Sequence, residues 1–188
     1  MNQKKAIVLV GMPGAGKSVC VEHLIGKGIP STYFGGITID EVKKRGMEVN
    51  EANERYVRED IRAKEGKGAY ALRIITQIEQ HFDEGHDFVV VDGLYSWTEY
   101  KIFKDTMENN AIIIAVVASR ELRHHRLASR PVRPLTEEEA TARDYAEIEN
   151  LEKGGPIANA DYFLSNAASP EDLLKQLDEL LVSLDIKL

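Results

Sequence analysis

The chain has 188 residues, of which 43% are hydrophobic, and its formal net charge is −7. This length suits one α/β domain, and no apolar run approaches the roughly 20 residues that a membrane-spanning helix needs. The acidic balance argues against general attraction to nucleic acid or to an acidic membrane. Cys20 is the single cysteine, which excludes an internal disulfide and suits a reducing compartment. Since residues 1–5 do not resemble a signal peptide, we expect a cytoplasmic protein, either a monomer or a homodimer.

The first half of the chain predicts two strands and four helices. KAIVLV at 5–10 is apolar throughout, as in a buried parallel strand. A helix from Lys17 to about residue 27 and a short strand at 32–34 come next. Thr38 and Glu41 then fit a capping box that opens the second helix. The two remaining helices are predicted at 50–64 and 69–82.

The second half continues the alternation of strands and helices. Three strands are predicted, at 88–93, 111–118 and 160–164. Ser119 caps one helix, TEEE at 136–139 is a capping box for the next, and SPED at 169–172 begins the last. Strands that are apolar along their whole length, alternating with helices, predict a parallel sheet covered on both faces.

The segment GMPGAGKS at 11–18 matches the P-loop pattern G-x-x-x-x-G-K-[ST] in full. Backbone N–H groups of such a loop wrap phosphates, the lysine reaches the β and γ phosphates, and the serine hydroxyl ligates Mg²⁺. The alternative is a chance match in a glycine-rich turn, but the motif requires a strand before it and a helix after it, and both are predicted here. We therefore predict that ATP and Mg²⁺ bind here. The predicted nucleotide-binding residues of the loop are Gly11, Gly14, Ala15, Gly16, Lys17, Ser18 and Val19.

Two aspartates are candidate catalytic groups. Asp92 ends the strand FVVVD, where a Walker-B carboxylate lies, and from there it can hold Mg²⁺ with Ser18 or orient a nucleophile. The alternative for Asp92 is an ordinary aspartate in a turn. Asp40 follows the second strand and is a candidate base, or else an acid near a helix start that the helix dipole stabilises.

An arginine stripe marks the region 119–151. Arg123, Arg126 and Arg130 lie at i, i+3 and i+7, on one helix face, and Arg133 and Arg143 follow after a proline turn. A transferring phosphoryl group spreads negative charge over its oxygens and needs several cations around it. We predict catalytic roles for Lys17, Arg130 and Arg143. The alternative is a solvated basic face paired with nearby glutamates.

Two histidines follow Arg123 directly in the same helix. Consecutive helical residues point in different directions, so His124 and His125 do not suit a shared metal site. We predict that both are surface residues.

A second basic stripe lies in the helix predicted at 50–64. Arg55, Arg58 and Arg62 repeat the i, i+3, i+7 spacing, opposite apolar positions that pack inward. Either Arg58 and Arg62 bind a phosphoryl acceptor, or the stripe is a solvated face paired with neighbouring glutamates. We place an acceptor-binding insert at 36–85 and a lid at 119–151.

The chain resembles the P-loop nucleotide-kinase-like proteins grouped near adenylate kinase and dephospho-CoA kinase, and in particular a mainly archaeal branch. The resemblance spans about residues 5–175. It rests on GMPGAGKS, KKRGMEVNEAN, REDIRAKEGKGAYALRI, FVVVDG, RHHRLASR and ANADYFLSN. The resemblance implies a three-layer P-loop NTPase fold with about five parallel strands and helices on both faces. The pattern of predicted elements divides a single domain, 1–188, into a core (1–35, 86–118, 152–188), the insert and the lid.

The resemblance also implies roles for individual residues. Positions 14 and 16–18 of the P-loop hold the ATP phosphates and Mg²⁺. Arg126 lies along the adenine, Arg130 reaches the phosphates, Arg143 is a lid arginine, and Asn166 lies near the adenine.

Two segments depart from the family pattern. GGITIDE at 35–41 lacks the arginine that nucleoside-monophosphate kinases carry after the second strand, and DGLYS at 92–96 has Tyr95 where the branch often has arginine. Both missing arginines would face an acceptor phosphate, so the acceptor is either not a nucleoside monophosphate or is bound by other arginines. Arg58, Arg62 and Arg73 are the candidate substitutes.

Together these features predict a kinase that transfers the γ-phosphoryl group of ATP to a small nucleotide or nucleotide-like acceptor. The alternative is a nucleotide-binding regulatory protein or slow ATPase without a small-molecule acceptor. A nucleic-acid-binding ATPase fits poorly with the acidic balance.

Overall fold

A computed structural model describes residues 4–186. Its five strands form one parallel sheet in the order β2-β3-β1-β4-β5, with β1 at the centre. The strands are β1 Lys5–Val10, β2 Ser31–Tyr33, β3 Phe88–Asp92, β4 Ala111–Val117 and β5 Tyr162–Ser165. The chain builds one side of the sheet through β2 and β3 and then crosses β1 to build the other. The predicted strands and their parallel arrangement are confirmed.

Helices cover both faces of this sheet. Within residues 4–186 the α-helices are α1 Lys17–Gly26, α2 Phe34–Lys44, α3 Glu51–Glu65, α4 Ala69–Asp83, α5 Trp97–Met107, α6 Arg120–Ser129, α7 Glu137–Glu149, α8 Gly154–Ala158 and α9 Pro170–Ser183. One core cluster packs α2 to α5 against one sheet face, and a second packs α1 and α9 against the other. The three-layer prediction is confirmed, and the predicted insert shares its core with the sheet.

Local signals located most helix starts, with one error. The capping boxes of Thr136 with Glu139 and Ser169 with Asp172 are present. The predicted Thr38–Glu41 capping box is wrong, because α2 already begins at Phe34, where its apolar residues pack into the core. Thr38 is therefore an interior residue of the helix, and its side chain is buried. Its hydroxyl instead hydrogen-bonds the hydroxyl of Tyr70 at 2.8 Å.

Helix α5 was not predicted, although the sequence carries its start signal. Ser96 and Glu99 form a capping box at its first turn.

Across residues 4–186, no helix combines the length and the apolar character that crossing a membrane requires.

Candidate active site

The site is a cleft of about 960 Å³ at the carboxyl ends of β1, β2 and β3. Ligands of open α/β sheets bind at this edge, where the strand order changes direction. The glycine-rich loop after β1 forms one wall. The start of α2 and one face of α3 form a second wall, and the ends of α6 and α7 form a third.

Two glycines of the glycine-rich loop adopt backbone conformations that a residue with a Cβ atom could not adopt here. Gly14 and Gly16 have φ values of +78° and +101°, which L side chains rarely adopt. A Cβ atom on Gly16 would lie 2.0 Å from Nδ2 of Asn166, and one on Gly14 would lie 2.6 Å from the carbonyl oxygen of Arg123. α1 begins directly after the loop and has no acidic residue in its first turn, so no carboxylate of its own first turn offsets its positive end. The loop therefore fits a phosphate chain.

Lys17 and Asp92 meet at the centre of the cleft. The parallel register pairs Asp92 with Leu9 of β1 and Tyr33 of β2, which brings its carboxylate beside the loop. The Lys17 ammonium donates a hydrogen bond to Oδ1 of Asp92. Ser18 is exposed and also lines the cleft. A hydroxyl and a carboxylate are ligands suited to Mg²⁺, so this pair of residues fits the predicted ion.

Arg126 and Asn166 connect the loop to the end of β5. Nδ2 of Asn166 donates to the carbonyl of Ala15 at 2.8 Å, and Nη2 of Arg126 donates to the backbone and side-chain oxygens of Asn166, both at 3.1 Å. Nη1 of Arg126 is buried and has no hydrogen-bond partner among the described residues. A buried unpaired donor beside a cleft is costly, and an acceptor atom of a bound ligand would satisfy it. Of the predicted nucleotide-binding residues, Ala15, Val19 and Asn166 do not line the cleft.

Arg123, the first member of the arginine stripe, does not line the cleft. Its guanidinium is buried and forms two hydrogen bonds of 2.7 Å with the carboxylate of Asp144, and Nη1 also donates to the carbonyl of Pro13 at 3.0 Å. Burial alone would raise the pKa of Asp144, but hydrogen bonds from Arg123 and His124 outweigh it and the pKa is lowered. This ion pair ties α6 and α7 to the glycine-rich loop.

The surface prediction for His124 is wrong, although His125 is exposed as predicted. The His124 ring is only 4% exposed, with Nδ1 2.9 Å from Glu137 and Nε2 3.0 Å from Asp144. The ring lies between two carboxylates because α7 packs back onto α6. That packing is a tertiary contact, which helical spacing alone does not reveal.

Arg130 and Arg143 reach the cleft from the lid region. Nε of Arg130 donates to the carbonyl of Arg133, which also lines the cleft. Nε of Arg143 lies 3.7 Å from Glu147 and makes only a loose ion pair. Both guanidiniums therefore retain donors for an anionic ligand.

The α3 side of the cleft carries two of the three predicted acceptor-binding arginines. Arg58 lies 3.5 Å from Glu51, at the limit of a hydrogen bond. Arg62 lies 3.5 Å from Glu99 and 5.1 Å from the centre of the Tyr70 ring. Both contacts are long, so both guanidiniums have donors to spare for an anionic group.

The structure does not bring Arg73 or Asp40 to this cleft. Both line a separate shallow depression between α2 and α4. Arg73 is engaged by Glu65 at 2.5 and 3.1 Å and by Glu41 at 3.6 Å. Asp40 is exposed, because α2 starts at Phe34 and carries it nearly two turns beyond the end of β2.

Two tyrosines and a lysine that sequence reasoning did not assign complete the cleft. The Tyr33 ring lies over Gly35 and the Tyr95 ring over Gly93, where a Cβ atom would come within 2.3 and 2.7 Å of the rings. Burial raises the pKa of Tyr95, and the neighbouring Tyr33 and Asp92 add to the effect. The two glycines, each close to a tyrosine in sequence, were the available signal.

Lys153 is the buried cation of this group. Its ammonium lies 4.7 Å from the centre of the Tyr95 ring and donates to Glu147. Burial lowers the pKa of Lys153, and the pull of Glu147 in the other direction does not fully offset it. Although residue 95 is a tyrosine and not an arginine, the ammonium of Lys153, which directly precedes α8, places a positive charge beside it.

The cleft is strongly cationic within an acidic protein. Among the described residues, eight cationic and four carboxylate side chains line it, whereas the whole chain has a formal charge of −7. The cations are Lys17, Arg58, Arg62, Arg126, Arg130, Arg133, Arg143 and Lys153. The carboxylates are Glu51, Glu54, Asp92 and Glu147. A cleft of this charge attracts polyanionic ligands.

Solved structures of other proteins share this architecture. TT1252 from Thermus thermophilus superposes with a TM-score of 0.67 at 21% identity, covering 97% of this chain and 98% of the other. Shikimate kinase from Acinetobacter baumannii, solved with shikimate, has a TM-score of 0.58 at 20% identity, covering 99% and 97%. At this identity the likeness establishes the fold alone, which is that of the P-loop kinase-like proteins.

Sequence comparison identifies the family. A profile described as an AAA domain matches residues 7–149. The UPF0200 protein TK1334 of Thermococcus kodakarensis is 34% identical over 185 residues, which cover 97% of this chain and 99% of the relative. The resemblance to an archaeal branch of P-loop kinase-like proteins is thereby confirmed, and the chain belongs to the UPF0200 family.

Proposed function

We propose that this protein is an ATP- and Mg²⁺-dependent phosphotransferase acting on a small anionic acceptor that is nucleotide-like. One observation carries the proposal: a phosphate-binding loop and a cationic α3 wall line a single continuous cleft. A donor and an acceptor bound at these two walls would share the space around Lys17 and Asp92. The kinase-like fold supports a small-molecule acceptor.

The side chains have distinct tasks in this proposal. The acceptor oxygen attacks the γ-phosphorus, the bond from that phosphorus to the β–γ bridging oxygen breaks, and ADP leaves. Lys17, Arg130 and Arg143 stabilise the charge on the transferring group. Where the attacking group is a hydroxyl, Asp92 accepts its hydrogen bond, orients it for attack and receives its proton. When bound at Ser18 and Asp92, Mg²⁺ supplies further neutralisation of the phosphate charge.

The acceptor lies, in this proposal, between the tyrosines and α3. Arg58 and Arg62 bind its anionic group, and the Tyr33 and Tyr95 rings contact its body. Residues 119–151 act as a lid that closes over both ligands and excludes water, which would otherwise hydrolyse ATP. Arg126 contacts the nucleotide beyond its phosphates, and Asn166 holds the Arg126 guanidinium in place.

A second candidate is a nucleotide-binding regulatory protein or slow ATPase. The observation that favours it is Tyr95, a neutral side chain that lines the cleft at the position where an arginine was expected. A regulator would need the phosphate loop and Asp92 but no acceptor contacts. The two candidates therefore differ in whether ATP consumption depends on a second ligand.

The experiment measures ADP formation from ATP and Mg²⁺ with a panel of nucleotides and small anionic alcohols. We expect at least one acceptor to raise the rate, and Lys17→Ala to abolish that increase. Lys27→Ala is the matched control, since Lys27 pairs with Asp178 and does not line the cleft. Turnover that no acceptor stimulates would favour the regulator, and an acceptor-stimulated rate unchanged in Lys17→Ala would refute the mechanism.

A further inference from the structure

The carboxyl end of helix α4 carries two histidines and a glutamate around a glycine, namely His81, Glu84 and His86 around Gly85. Glu84 is the last residue in helical conformation, and Gly85 follows with φ +96°. The Gly85 N–H donates to the carbonyl of Phe82 at 3.3 Å, and the His86 N–H donates to the carbonyl of His81 at 3.1 Å. This pair of bonds is the Schellman motif, which closes a helix with a fixed backbone. The backbone positions of residues 81 to 86 are thereby fixed relative to one another.

A Schellman motif ordinarily brings two apolar side chains together, one from the last turn and one from beyond the glycine. Here those two positions are His81 and His86, whose ring centres lie 5.9 Å apart, edge to face. Nδ1 of His81 also lies 3.3 Å from Oε2 of Glu84. One ligand-type atom from each of the three residues lies within 4.8 Å of the others. The motif therefore gathers two imidazoles and a carboxylate where an apolar contact would suffice.

We propose that His81, Glu84 and His86 bind a divalent transition-metal ion of the zinc class. Two imidazoles and one carboxylate are ligands that Zn²⁺, Co²⁺ and Ni²⁺ share, and they suit these ions better than Mg²⁺ or Ca²⁺. The carbonyl end of a helix carries partial negative charge and favours a cation. Three protein ligands leave a further coordination position for water or another ligand.

The geometry needs only a small adjustment to hold such an ion. Tetrahedral ligands about 2.1 Å from Zn²⁺ lie about 3.4 Å from one another. The His81–Glu84 contact already has this length. His86 is exposed, so rotation of its side chain can bring it inward. Gln80 donates to the other oxygen of Glu84 at 3.1 Å, which orients the carboxylate and leaves Oε2 for the metal.

This site lies at the opposite edge of the sheet from the cleft. Residues 81–86 precede the start of β3, whereas the cleft lies at the carboxyl end of that strand. The metal site is therefore separate from the Mg²⁺ site of the proposed reaction, and its test does not depend on phosphotransfer.

The experiment titrates the full chain with Zn²⁺ by calorimetry and with Co²⁺ by visible absorption, without nucleotide. We expect one site outside the cleft and at least a tenfold loss of its affinity in His81→Ala and in His86→Ala. His125→Ala is the matched control, since it removes another exposed histidine, and it should leave the affinity unchanged. Circular dichroism checks that each variant is folded.

Two results would overturn the proposal. One is the absence of Zn²⁺ binding up to millimolar concentration in the unmodified chain. The other is binding that persists unchanged in the His81→Ala/His86→Ala double variant, which would assign the ion to Ser18 and Asp92 or to another group. Asp92→Asn serves to separate those sources, because it should leave the proposed site intact.

Discussion

Replacing Arg123 by methionine should destabilise the protein severely. The Arg123 and Asp144 side chains are 8% and 9% exposed and are joined by two short hydrogen bonds. The substitution leaves the Asp144 carboxylate buried without its guanidinium partner and in contact only with the His124 ring, and it leaves the Pro13 carbonyl without its donor. Removing one member of such a buried pair costs about 3–5 kcal/mol of unfolding free energy. For a chain of this length, that loss corresponds to a fall in Tm of roughly 6–20 °C.

The assay is thermal and urea unfolding followed by circular dichroism. Arg120→Met is the matched control, because Arg120 lies on the same helix but is exposed, 3.4 Å from Glu137. A surface ion pair of this kind contributes about 0–1 kcal/mol. The double variant Arg123→Met/Asp144→Leu should be more stable than Arg123→Met alone, because it removes the uncompensated charge. If Arg123→Met cost less than about 1 kcal/mol, or if the double variant were the less stable one, the assignment of a buried interdependent pair would be refuted.

Three other predictions concern the cleft and its surroundings. Gly16→Ala should abolish nucleotide binding measured by fluorescence titration, since its Cβ atom would lie 2.0 Å from Asn166 in a strained backbone; an unchanged affinity would contradict the loop geometry. Burial raises the pKa of Cys20 to about 12, so iodoacetamide at pH 8 should label this thiol in urea but not in the native protein, and fast native labelling would show that the site opens. If the charge of Lys153 faces the γ-phosphate, Lys153→Met should weaken ATP binding about tenfold more than ADP binding, and Lys153→Arg should restore the preference for ATP. Equal weakening of ATP and ADP binding would mean that Lys153 only positions Glu147.

The sequence predicts those parts of the fold that are determined by residues adjacent in the chain. The apolar strands, the glycine-rich loop and the cap at Ser169 each depend on a few consecutive residues. Strand Phe88–Asp92 also located Asp92 correctly beside the loop, because parallel strands end at a common edge. The five-stranded core and the glycine-rich wall of the cleft, with Asp92 beside it, followed from these signals.

The remaining features depend on partners that are distant in sequence. Arg123 and Arg126 lie on one helix face, but one pairs with a buried aspartate of α7 and the other with Asn166 beyond β5. Spacing identifies the face and not the partner. Likewise, Tyr95 and Lys153 meet only because the chain returns from α7 to the sheet edge.

The ties on the glycine-rich loop determine which way its peptide groups point. The Pro13 and Ala15 carbonyls are held by Arg123 and Asn166. In a trans peptide the N–H of the next residue points opposite to the carbonyl, so the N–H groups of Gly14 and Gly16 are directed away from those anchors. The loop is thus preorganised as an array of donors before any anion arrives, and binding does not require the peptides to turn over. Variants of Arg123 and Asn166 would therefore change the entropy of nucleotide binding although neither anchor need touch the phosphates.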